Sequence, residues 1–192
     1  WLYRSGMDEA TIEKNGFEPL KPKLAAIAGL KSSTDVADFI RKDFAEGDAQ
    51  VFQFGSGADF QHADLQIGFA NEAGLGLPTK DYYSKPDYQA IRDAYVAYIA
   101  KSLELTGVAD VQAGKQASDV LKFETALAAA SLTPVEERDL KNQYHFVSVA
   151  EADKVTPHFS WEKFFDAQGV TVGNGFSLSQ PKFFARFDTM LA

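Results

Sequence analysis

The chain has 192 residues, a net charge of −8, 45% apolar and 24% charged residues, and no cysteine. That is enough chain and apolar side chain for a sizeable core. The acidic balance argues against a nucleic-acid partner or docking on an anionic membrane. No apolar run reaches the roughly 18 residues of a spanning helix, and without cysteine neither a disulfide nor a thiolate metal site can form.

In chain order, residues 1–5 read as the tail of a helix that begins upstream. With Trp1 where an initiator methionine would stand, the sequence reads as a piece of a longer one. Asp8 is placed to cap a short helix that Gly16 stops. In EPLKPKLAAIAGL, Pro19 and Pro22 fit a first helical turn, and Leu20, Leu24, Ile27 and Leu30 share a face. Thr34 is expected to cap the next helix, with Val36, Phe39, Ile40 and Phe44 as its stripe and Gly47 near its end. The period then changes from helical to alternating. Val51, Gln53 and Gly55 oppose Phe52 and Phe54, and Leu65, Ile67 and Phe69 repeat the pattern, predicting a β-hairpin over about 51–70 with irregular residues near Ala58–His62. The segment GLGLPTKDYY (74–83) follows.

Helices then return. Residues 85–107 predict a rod of roughly 30 Å, with Tyr88, Ile91, Tyr95, Ile99 and Leu103 at helical spacing. Asp110–Ser131 predicts a second long, alanine-rich helix, and Pro134 starts a short one. Ser148 and Ser160 are expected caps, Pro181 opens the last helix, and VTVG and FSLS suggest short strands near 170–179. The expected fold is mainly α: one helical domain over 1–192 with an inserted hairpin.

Little in the chain promises chemistry. His62, His145 and His158 are the only histidines, and none lies at zinc-motif spacing from another. Ser56 stands between glycines, but a strand-to-strand connection is not the strand-to-helix elbow of a nucleophilic serine. GLGLPTKDYY lacks the third glycine of a dinucleotide loop, and Pro78 removes an N–H where phosphate loops use one. Gly74, Gly76 and Pro78 therefore read as a stiff structural corner. Glu124 lies in the apolar stripe of Val120, Leu121, Leu127 and Ala128, so it must be paired or neutral. Arg138 is the first expected partner and Arg92 the second. No catalytic or metal-ligating residue is assigned.

The order of LYRSGMDEATIEKNGFEPL, GLGLPTKDYY, FETALA, EERDLKNQY, FSWEKFF and PKFFARFDTML resembles the N-terminal, non-catalytic region of neprilysin-like zinc metalloendopeptidases over nearly the whole chain. Gly6 stands where animal members commonly carry a cysteine, which suggests a bacterial relative. The resemblance implies a lid-type helical lobe that closes over an active-site chamber, admitting peptides and excluding folded proteins. Its partners would be the catalytic lobe of the same chain and peptide substrates. Zinc is expected in that catalytic lobe and not in this segment, which has no H-E-x-x-H, and the location implied is periplasmic or secreted. The alternative is a stand-alone helical binding module without peptidase activity.

Overall fold

The computed structural model describes residues 1–192 as eleven α-helices, three 3-10 turns and one four-stranded mixed sheet. The fold is mainly helical with inserted strands.

The first three helices, α1 (Leu2–Gly6), α2 (Glu9–Asn15) and α3 (Lys21–Ala28), form an arm. Asp8 accepts from the Thr11 N–H at 3.1 Å, and Gly16, at φ 52°, ends α2. The arm contributes nothing to the core: none of its helical residues is buried. Lys23 ties it to the body through Asp43 (3.0 Å) and Asp48. Helix α4 (Ser33–Ala45) is capped by Ser32, not by Thr34. The Ser32 hydroxyl accepts from the Asp35 N–H, while the Asp35 carboxylate accepts from the Ser32 N–H. This reciprocal box places the acid at the third helical position and Thr34 inside the first turn.

Strands β1 (Phe52–Ala58) and β2 (Gln66–Glu72) form the antiparallel hairpin, with Phe52 opposite Glu72 and Ala58 opposite Gln66. Strand β3 (Phe146–Val147) is too short to leave an alternating signal. Strand β4 (Phe176–Leu178) lies between β2 and β3, parallel to the first and antiparallel to the second. The expected strand at VTVG does not form. Gly173 (φ 56°) and Gly175 (φ 152°) turn the chain there, and a Cβ on Gly175 would come within 2.1 Å of the Val147 carbonyl oxygen.

The remaining helices are α5 (Lys80–Ser84), α6 (Gln89–Leu105), α7 (Asp110–Ala128), α8 (Leu140–Gln143), α9 (Val149–Val155), α10 (Trp161–Gln168) and α11 (Pro181–Leu191). Helices α6 and α7 pack side by side, with Ala113 and Ala117 fully buried on α7. Ser148 and Ser160 cap α9 and α10 through the N–H groups of Glu151 and Lys163. The body is built around Phe52, whose ring lies 5.2 Å from Trp161 and Phe164 and 5.6 Å from Phe44 and Phe159, mostly edge-on or tilted. Such pairs add directional attraction to the area they bury. The Trp161 indole N–H is satisfied by Thr156 Oγ1 at 3.0 Å.

Candidate functional site

The polar group that most constrains this fold is Glu124. It occupies the buried face of α7 with Ala113, Ala117, Leu127 and Ala128. Its Oε2 accepts from the Tyr83 hydroxyl at 2.6 Å and from the Gly76 N–H at 3.2 Å, and its Oε1 accepts from the Tyr95 hydroxyl at 2.9 Å. Tyr83 is itself buried and accepts from the Leu77 N–H at 2.8 Å. One carboxylate thus joins α7, α6, α5 and the corner that follows the hairpin. Burial, and then the bond to Glu124, hold both phenols well above the ordinary tyrosine range.

This replaces the expected ion pair. Arg138 sits exposed in a 3-10 turn (Glu136–Arg138) and makes no contact with Glu124. Arg92 is buried, but donates to the carbonyls of Tyr82 (2.6 Å) and Lys85 (2.9 Å) and to Gln89 Oε1 (2.8 Å), closing the end of α5. Three neutral donors satisfy the buried carboxylate without desolvating a second charge. A carboxylate in an apolar stripe signals that donors must converge, but its spacing does not distinguish guanidinium from phenol, so no local signal points to Tyr83 and Tyr95.

The corner is shaped by close approach. Gly74 has φ 80°, and a Cβ there would lie 2.1 Å from the Gln50 carbonyl oxygen. A Cβ on Gly76 would lie 1.8 Å from the Tyr95 hydroxyl. Leu77 is buried and Pro78 exposed at the exit. Lys80 holds no phosphate-loop position. Its ammonium donates to the carbonyls of Ala129 (3.0 Å) and Ser131 (2.9 Å), where a cation suits a helix C-terminus, and α7 ends at Ala128.

The three histidines are dispersed. His62 lies in the β1–β2 connection, the His145 Nδ1 is 3.2 Å from the Ser179 carbonyl oxygen, and the His158 Nδ1 is 2.8 Å from Asp188 Oδ2. No group of three or more metal-ligating side chains converges, and Ser56 sits within β1. Two clefts stand out. One, of about 600 Å³, runs between Val51, Ile99, Leu103, Phe123 and Leu127 beside Glu124. The other, of about 640 Å³, opens at the far end of the hairpin.

These features define a mainly helical fold whose buried polar network is architectural. The profile of the N-terminal domain of peptidase family M13 matches residues 1–192, and the chain belongs to that family. It is 28% identical over 176 residues to human endothelin-converting enzyme 1, covering 85% of this chain and 22% of that protein. It is 26% identical over 183 residues to neprilysin-3 of Drosophila melanogaster, covering 89% of this chain and 23% of that one. The zinc metalloprotease Zmp1 of Mycobacterium tuberculosis, solved with an inhibitor, superposes with a TM-score of 0.91 at 25% identity, covering 100% of this chain and 30% of that chain. The chain therefore spans less than a third of the length of these relatives. The zinc site of M13 peptidases lies in the catalytic domain, outside this N-terminal segment. No helix is long and apolar enough to cross a membrane.

Proposed function

We propose that this chain is the non-catalytic helical lobe of a neprilysin-like zinc metalloendopeptidase, enclosing the active-site chamber and limiting substrates to peptides. The observation that carries this reading is the superposition of the whole chain on less than a third of Zmp1. The apolar surface of the arm supports it. Trp1, Leu2, Tyr3, Met7, Ile12, Leu20, Leu24 and Ile27 are all exposed, although they lie on or beside helices. Exposed apolar side chains concentrated on one arm are what an interface would cover, and the catalytic lobe of the same polypeptide is the partner this reading assigns to it. The location consistent with this reading is periplasmic or secreted.

The test is made on the full-length enzyme carrying this segment. A short quenched-fluorescence peptide should be cleaved in a chelator-sensitive manner. A folded globular protein containing the same cleavable sequence should resist until it is denatured. Equal cleavage of folded and denatured protein would exclude a size-selecting chamber. An absence of any chelator-sensitive hydrolysis would exclude the peptidase reading.

A further inference from the structure

The cleft at the far end of the hairpin opens where the β2–β4 ladder stops. The β2–β4 ladder consists of Phe69 opposite Ser177 and Ala70 opposite Leu178, and β4 begins only at Phe176. Strand β2 extends further, to Gln66. Its free groups follow from register. The Leu65 carbonyl accepts from the Asp59 N–H, and the Ala73 N–H donates to the Val51 carbonyl, so the odd-numbered residues of β2 direct their backbone at β1. The even-numbered ones face the other way, and the Ala70 carbonyl accordingly accepts from the Ser179 N–H. Gln66 and Gly68 direct their backbone to that same side, where residues 170–175 form no strand and line the cleft. The Gly68 N–H and both backbone groups of Gln66 are left facing the cleft.

The walls suit a polypeptide strand. On the core face, the Phe54 ring lies so close over Gly68 that a Cβ there would meet it at 2.4 Å. On the outer face Leu65, Ile67 and Phe146 line the opening, with Leu65 51% and Phe146 41% exposed. The one carboxylate in the wall, Asp59, is buried and already accepts from the Gln61 N–H and the Tyr144 hydroxyl, both at 2.8 Å. No lysine or arginine lines the cleft, and His62 is its one basic side chain, set beside the Asp59 carboxylate, so the wall offers no fixed cation to an acidic guest.

We propose that this cleft is a binding site for an extended, non-acidic peptide that continues the line of β4 and pairs its backbone with Gln66 and Gly68. Main-chain hydrogen bonds to an open strand edge supply affinity, and alternate side chains supply selectivity. One guest side chain packs by Phe54 and the next among Leu65, Ile67 and Phe146. The open stretch from Gln66 to Gly68 accommodates about three guest residues at ~3.3 Å each. The site needs neither zinc nor the catalytic lobe, so it stands or falls independently of the function proposed above.

The test is a titration of the ¹⁵N-labelled 192-residue chain with the capped peptide acetyl-Lys-Val-Ser-Val-Lys-amide. Its analogues are N-methylated at one amide at a time, and a further version has Glu in place of Lys. Saturable amide shifts should appear at Gln66, Gly68 and Gly175. N-methylation should weaken binding about tenfold or more at alternate positions only, as one-sided strand pairing requires, and the Glu version should bind more weakly. Gln66→Pro removes one cleft-facing N–H at the first residue of the strand, where proline is tolerated and the β1 ladder does not use it. It should lower affinity with little change in the thermal midpoint. If that variant fails to fold, the N-methyl series on the unmodified chain decides alone. Absent or non-saturating shifts, shifts centred elsewhere, equal binding of all N-methylated peptides, or preference for the Glu version would each overturn the proposal.

Discussion

Tyr83 donates its hydroxyl proton to Glu124 across 2.6 Å while accepting from the Leu77 N–H at 2.8 Å, so one phenol oxygen joins α5, α7 and the corner between hairpin and helices. Both bonds are buried, and losing either leaves a desolvated group without a partner. Tyr83→Phe should therefore cost about 1–3 kcal/mol of unfolding free energy. Tyr83→Phe combined with Glu124→Gln should be non-additive by about 0.5–3 kcal/mol in denaturant unfolding. Arg138→Met should stay within about 0.5 kcal/mol of wild type and add independently to either change. A measured coupling between Arg138 and Glu124 would restore the ion pair and discard the tyrosine clamp.

The two phenols also set an alkaline limit. Burial first, then the bond to Glu124, raise Tyr83 and Tyr95 above the ordinary value, and burial, then the bond to Asp59, pushes Tyr144 up to about 12. The unfolded chain releases these protons near pH ~10 while the folded chain retains them, so their stabilisation is complete below about pH 10 and is lost as pH rises toward the folded values. Of the seven tyrosines, three should be late in a phenolate absorbance titration. Their ionisation should coincide with loss of helical dichroism. Titration of all seven together in the folded state would refute the burial of these hydroxyls.

Much of the architecture was legible because it rests on local signals. Ser148, Ser160 and Gly16 mark helix ends by chemistry available within a turn, and the alternation around Phe52 and Ile67 marks a hairpin. Local signals also compete. At α4, Ser32 and Thr34 both qualify as caps, and the reciprocal bonds between Ser32 and Asp35 decide it. Long-range pairing left no mark. Nothing near Phe146 announces a strand that exists only because Phe176 passes beside it. The donors to Glu124 come from 29 to 48 residues away, and composition alone favours an arginine there.

The glycines of the corner make different demands on their neighbours. At Gly74 an added Cβ meets backbone at 2.1 Å in a left-handed conformation, whereas at Gly76 it meets the tip of the Tyr95 side chain. Gly74→Ala should cost more than ~1–3 kcal/mol because strain and clash add. Gly76→Ala should act by displacing the Tyr95 hydroxyl from Glu124, so its cost should shrink in a Tyr95→Phe background. The cost of Gly74→Ala should not change there. Thermal unfolding of the three single variants and of each glycine variant in the Tyr95→Phe background checks this, and equal behaviour of the two glycines would mean that the corner yields as a unit.

Phe52 tests the aromatic core in the same way. It is 1% exposed and touches rings from α4, α10 and α11. Phe52→Ala should cost about 3–5 kcal/mol, and Phe52→Leu distinctly less, because leucine refills part of the cavity. Denaturant midpoints at constant slope are the measurement. A loss below about 1 kcal/mol for the alanine variant would show that the hairpin is peripheral to the folding unit.

The arm gives the opposite expectation. Helices α1–α3 bury no residue, and their side-chain tie to the body runs through Lys23, with Asp43 and Asp48. A cooperative unit is held by buried contacts, and segments without them open at little cost. Deleting residues 1–20, upstream of Lys23, should leave the thermal midpoint of the body unchanged, because Phe52 and its neighbours lose no contact. The same deletion removes Trp1, Leu2, Tyr3, Met7, Ile12 and Leu20 from the exposed apolar surface, so binding of a hydrophobic dye should fall. In the longer polypeptide, where the arm is proposed to meet the catalytic lobe, the same deletion should lower the midpoint and reduce peptide hydrolysis. A body destabilised by the deletion in the 192-residue chain would place the arm inside the folding unit. An unaffected full-length enzyme would remove the arm from the interface between lobes.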